Sequence, residues 1–91
     1  MNELIEQLKE ISTTKESALQ CGGTYSANNL RICLSLLKKL EEYNDHPKYE
    51  KVLNTLLNIK DNWKSALINH NSNGSKFIEY DLETGIQIER G

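Results

Sequence analysis

From residue 2 to residue 21 the apolar side chains fall at Leu4, Ile5, Leu8, Ile11, Ala18 and Leu19, a 3.6-residue rhythm with a polar gap over residues 12–17. The spacing predicts an amphipathic helix over residues 2–21, weaker in its second half. Asn2 is placed to cap it, with Glu3 and Glu6 near the positive end of the helix dipole. Thr13 and Thr14 lower helix propensity in the middle, so a bend or early end is expected there. Gly22-Gly23 then supplies the left-handed residue that commonly closes a helix.

A second helix is predicted over residues 26–43, opened by the hydroxyls of Thr24 and Ser26. Its apolar set, Leu30, Ile32, Cys33, Leu34, Leu36, Leu37, Leu40 and Tyr43, covers more than half of the circumference, so this helix should pack on two sides and form the centre of the domain. Asn44-Asp45-His46-Pro47 ends it, because proline disfavours helix in the residue before it yet fits the first turn of the next helix. Asp45 or His46 would cap that third helix, predicted over residues 47–70 from Tyr49, Val52, Leu53, Leu56, Leu57, Ile59, Trp63, Ala66 and Leu67. Lys48, Glu50, Lys51, Asn54, Lys60, Asp61 and Lys64 form its polar side, and Asn73-Gly74 reads as a left-handed stop.

The period then changes from 3.6 to 2. Residues 76–80 and 86–90 alternate as strands around Asp81-Leu82-Glu83-Thr84-Gly85, where Asp opens a turn and Gly takes the positive φ that closes a short hairpin. Ile78, Tyr80, Ile86 and Ile88 are expected to share one face and Glu79, Gln87 and Glu89 the other. A lone two-stranded ribbon is marginal in water, so this one must pack on the helices or pair its edge with another chain. The fold class expected is mainly α: a three-helix antiparallel bundle-like domain over residues 1–91, closed by a C-terminal β-hairpin over residues 76–90. Its core should centre on Leu8, Ile11, Leu30, Cys33, Leu34, Leu37, Leu40, Val52, Leu53, Leu56, Ile59 and Trp63.

Composition narrows the function classes. The chain has 91 residues, 37% apolar and 26% charged, with mean hydropathy −0.61, which suits one packed core and neither a disordered chain nor a membrane span. Acidic residues at the N-terminus and the absence of a long apolar run argue against a cleaved export signal, so a cytoplasmic protein is expected. Cys21 and Cys33 are then expected as reduced thiols, and Asn73-Gly74-Ser75 as a loop with an incidental sequon match. Eleven basic residues face 13 acidic ones, a net charge of −2 that disfavours nucleic acid as a partner.

The inventory for catalysis is thin. No glycine lies in a phosphate-loop or dinucleotide pattern. Cys21, Cys33, His46 and His70 lack the paired spacing that nucleates a zinc site, so no metal and no cofactor are expected. Cys33, among Leu30, Leu34 and Leu37, reads as a small core residue, and Cys21 has no base supplied beside it. Glu41-Glu42 near Lys38 reads as a solvated helix end. Trp63 and Tyr49 lie on an apolar face and are expected to pack in the core, not to stack on bases. No catalytic residue is assigned, and an enzyme is not expected.

Divided by segment, the charge becomes informative. Residues 1–75 carry nine basic and nine acidic side chains, so the whole net charge resides on the hairpin, where Lys76 and Arg90 face Glu79, Asp81, Glu83 and Glu89. Two readings follow: a recognition surface for a basic partner, or an ordinary turn whose charges discourage edge aggregation. On the first, Glu79, Tyr80, Asp81, Glu83, Glu89 and an exposed Tyr25 are the expected partner-binding residues. Small size, mild acidity and the lack of catalytic groups suit a non-enzymatic interaction protein that blocks or holds a protein partner, as immunity proteins and inhibitors of bacteria, phages or mobile elements do to toxins and nucleases. The alternatives are a self-assembling, dimeric helical protein and a weak DNA-binding regulator.

Overall fold

The computed structural model describes residues 1–73 and 78–89, the side chains of Ile78 and Glu89 excepted. The predicted Gly74 stop and the hairpin residues Lys76, Phe77 and Arg90 lie outside the described residues. Within them the chain is mainly α, four helices forming a bundle-like body followed by an antiparallel two-stranded hairpin.

The first predicted helix is divided into α1, Asn2–Glu10, and α2, Lys15–Leu19. Thr14 adopts extended backbone, and its Oγ1 accepts a hydrogen bond from the Ser17 amide at 3.1 Å, capping α2. Breaking the helix there leaves carbonyls in need of donors, and the last helix supplies them. Trp63 Nε1 donates to the Ile11 carbonyl and Asn62 Nδ2 to the Thr13 carbonyl, each at 2.9 Å. At the other end Met1, not Asn2, is the cap residue of α1, with no side-chain bond.

Helix α3, Gly23–Leu40, begins earlier than its hydroxyl pattern predicts. Gly22 is its extended cap residue, at φ −68° and ψ 159°, so the glycine pair is not the left-handed stop expected of it. Gly23 instead lies close against α4: a Cβ there would come within 2.8–2.9 Å of the His70 ring, which would have to shift. A short 3₁₀ turn, Glu41–Tyr43, leads to α4, Tyr49–Ser72. Lys48 is the cap residue of α4, and His46 supports the helix start, its Nδ1 accepting from the Lys48 amide and its carbonyl from the Tyr49 amide, both at 3.0 Å. Asn73, the residue that follows α4, has φ −84° and ψ 13°.

The contact of Gly23 with His70 sets α3 and α4 antiparallel. Helix α1 runs against α3, with Leu4 and Gln7 near Lys39 and Tyr43, and Ile11 near Ile32 and Leu36. The central helix therefore packs on two sides, as its apolar circumference predicts. Docking α1 on the Ile32 side buries Leu36 completely and leaves Leu34 and Leu37, expected in the core, only partly covered; Leu53 is likewise partly covered. Leu8, Ile11, Leu30, Cys33, Leu40, Val52, Leu56, Ile59 and Trp63 are buried as expected, joined by Leu4, Ala18, Ala27, Ala66, Leu67 and Tyr80. Each fully buried leucine contributes about 1.5–3 kcal/mol relative to exposure.

In the hairpin, β1 (Ile78–Tyr80) pairs with β2 (Gln87–Glu89) in the register Ile78 to Glu89, Glu79 to Ile88 and Tyr80 to Gln87. This corrects the expected shared face of Ile78, Tyr80, Ile86 and Ile88. The four-residue loop, residues 82–85, sets even-numbered residues of β1 opposite odd-numbered residues of β2, which turns Ile86 and Ile88 to the side away from Tyr80. Tyr80 is 5% exposed, whereas Ile86 and Ile88 are 56% and 46% exposed.

Trp63→Phe keeps most of the apolar volume and removes the donor to Ile11. The expected loss is about 1–3 kcal/mol, read from urea unfolding, since a buried carbonyl is left unpaired.

Candidate interaction surface

Side chains of α3 and α4 fasten the hairpin to the helices. Tyr80 places its ring 5.3 Å from that of His70 and its hydroxyl 3.2 Å from Thr24 Oγ1. Because Glu79 and Asp81 face their partners across the ladder, the amide and carbonyl of Tyr80 point outward from the ribbon. Asn71 satisfies both: its Oδ1 accepts from the Tyr80 amide and its Nδ2 donates to the Tyr80 carbonyl, each at 3.0 Å. One carboxamide thus acts as a short third strand against the edge of β1 at Tyr80.

The loop is held from the other side. Arg31 donates to the Gly85 carbonyl at 2.7 Å, and Asp81 Oδ1 accepts from the amides of Glu83 (2.8 Å) and Thr84 (3.0 Å). Gly85 has φ +70°, the conformation expected of the residue closing this turn. A side chain there would also press on the Ala27 carbonyl at 3.0 Å and Arg31 Cγ at 3.1 Å, so the loop lies directly on α3. The ribbon accordingly packs on its own helices through Tyr80, Gly85 and the half-buried Leu82.

This packing sorts the expected partner-binding residues. Tyr80 belongs to the core, and its side chain is not offered to solvent. Glu79 and Asp81 are half-buried and stand opposite Ile88 and Ile86 on the outer face. Glu83 is exposed at the loop tip, 3.3 Å from Lys64 Nζ in an ion pair open to water. Glu89 is described at its backbone alone. Tyr25 is 56% exposed and meets the buried Trp63 edge to face at 5.7 Å. Its ring contact is with α4 and not with the hairpin.

The outer face therefore combines two exposed isoleucines with carboxylates. Sequence reasoning misses the isoleucines because their exposure depends on the ladder register and on which face of the ribbon docks on the helices. It also misses Asn71, Arg31 and Thr24, whose roles need elements 54 or more residues apart, or the bend from α4 into the ribbon, to be placed first.

Cys21 and Cys33 are unpaired thiols. Cys33 is completely buried, and its pKa is pushed up from 9.0 to about 12 by loss of hydration, with the positive charge of Lys60 opposing the rise. That thiol is placed as a packing group and holds little thiolate near neutral pH. Among the described residues no three His, Cys, Asp or Glu side chains gather as a metal site would require, and no helix is long and apolar enough to cross a membrane. No protein-family model, curated protein or solved structure matches the chain.

Gly85→Ala is expected to cost about 1–2 kcal/mol from its left-handed backbone, and more from the contact with Ala27. The loss would appear as earlier hydrogen exchange at the amides of Tyr80 and Asp81 than at those of α3. In a Cys21→Ser variant, Cys33 is expected to resist thiol reagents until the chain unfolds. Its raised pKa leaves stability intact below about pH 9, where the unfolded thiol is still protonated. Stability then falls by up to about 1.4 kcal/mol per pH unit toward pH 12 as only the unfolded thiol ionises. Cys33→Ala should lack that slope in urea melts run across this range.

Proposed function

We propose that this chain is a small non-enzymatic interaction protein, working in the cytoplasm, that blocks or holds a protein partner through the outer face of its hairpin. The observation that carries the reading is the pair Ile86 and Ile88, left 56% and 46% exposed on a ribbon anchored to two helices. Isoleucine at a strand edge is an aggregation hazard unless it is covered or flanked by charge. Here Glu79, Asp81 and Glu83 flank it.

An apolar centre with a charged rim is the usual anatomy of a protein interface. The partner that fits has an apolar patch edged by lysine or arginine, as a basic toxin or nuclease surface would offer. The carboxylates would speed encounter and fix register, and the isoleucines would supply most of the area removed from water. Anchoring matters to affinity, because a ribbon already held by Asn71 and Arg31 loses little further freedom on binding. The ion pair of Glu83 with Lys64 is exposed and worth about 0–1 kcal/mol, so a partner's cation can replace it at small cost. Inhibition would be steric: the bound ribbon occupies the surface that the partner needs.

The partner is to be recovered by affinity purification from the native host, and its binding measured against Ile88→Ser/Glu83→Lys. Both positions are exposed, so the fold should persist in circular dichroism while affinity drops more than about tenfold. Unchanged affinity would remove the hairpin from the interface.

A further inference from the structure

The end of the molecule remote from the hairpin carries a surface of opposite character. Helices α1 and α4 leave a groove of about 420 Å³ between them, with Ile5, Leu8 and Val52 along its floor and Lys9, Lys48 and Lys51 at its rim. The three lysines are exposed. Lys9 has Glu6 at 3.6 Å, but among the described residues neither Lys48 nor Lys51 is in an ion pair. Glu50 stands about 100° around α4 from Lys51 and so does not line the groove. The result is an apolar trough under a positive rim.

The hairpin is its complement on both counts. Ile86 and Ile88 are the apolar part, and Asp81 and Glu83 the negative part. We propose that the groove receives the hairpin of a second copy of this chain. Ile86 and Ile88 would enter toward Ile5, Leu8 and Val52, and the loop carboxylates would meet Lys48 and Lys51. A chain cannot make this contact with itself. The hairpin lies against α4 near Lys64 and Asn71, the groove against its start at Lys51 and Val52. Val52 and Asn71 are separated by roughly 28 Å of helix axis.

Charge complementarity selects a second copy over pairing of two hairpins edge to edge. The latter would bring like-charged ribbons together, while Asn71 already occupies the edge of β1 at Tyr80. The proposal rests on the reading of the outer hairpin face as a binding surface, and it adds that self-association hides this face until a partner competes for it.

Sedimentation equilibrium over a range of concentrations tests it. Wild-type chain should rise above monomer mass, and added salt should reduce the association. Lys48→Glu/Lys51→Glu, with an intact hairpin, and Ile88→Ser/Glu83→Lys, with an intact groove, should each associate more than about tenfold more weakly. Mixed together, they should form a species of two chains and no larger, because one good hairpin meets one good groove. A wild-type chain that stays monomeric throughout would overturn the proposal and leave the groove to some other acidic, apolar ligand. So would a mixture that fails to combine, or a groove variant that associates like wild type. Failure here is distinct from failure of the function proposed above, since the groove variant keeps its hairpin and should still capture the partner.

Discussion

One asparagine couples the two halves of this molecule. Asn71, about one turn beyond Leu67, the last buried residue of α4, gives its whole carboxamide to the amide and carbonyl of Tyr80. A two-stranded ribbon has too little buried surface to hold its own shape in water, so its geometry is inherited from whatever it lies on. Asn71, together with Arg31 at Gly85 and Thr24 at the Tyr80 hydroxyl, makes that inheritance specific. It determines which face of the ribbon is spent on the core and which is left to solvent. The exposed isoleucines, the carboxylates beside them and the occupied edge of β1 at Tyr80 all follow from this docking.

A second consequence concerns charge. Summed along the sequence, residues 1–75 are neutral and the hairpin is negative. In space, cations of the body are recruited to the ribbon: Lys64 lies beside Glu83, and Arg31 binds the loop carbonyl. The neutral body is itself divided, with Lys9, Lys48 and Lys51 concentrated around one apolar groove. The molecule measures 46 Å along its long axis. The outer hairpin face is negative and the groove rim positive, each beside exposed or shallowly covered apolar surface. Such an arrangement favours association with an oppositely charged apolar surface, whether on another protein or on a second copy.

The broken first helix shows how local and long-range causes meet. Thr13 and Thr14 mark the weak point in sequence, and Thr14 can cap a new helix by itself. A break also strands carbonyls, however, and the break is tolerable because Trp63 and Asn62 reach across from α4 to bind them. Trp63 is legible as a core residue from its place in the apolar stripe. Its indole donor, which ties the break to α4, is not, because its acceptor lies 52 residues away.

What the chain determined by itself was its repeat of polar and apolar positions, and hence its elements. The 3.6-residue stripes specify the helices, the two-sided apolar surface of α3 specifies the centre, and Asp81 with Gly85 specifies the turn, which closes as expected at φ +70°. These are local requirements, met by neighbours a few residues apart. The tertiary structure alone decided the rest. Gly23 serves close approach to His70 and not a helix stop, Leu36 displaces Leu37 from the core because α1 docks on that side, and a one-residue difference of register sends Ile86 and Ile88 outward. Each of these depends on which surfaces meet. Periodicity states that a side chain needs cover, but only packing states which neighbour provides it and which side chain goes without.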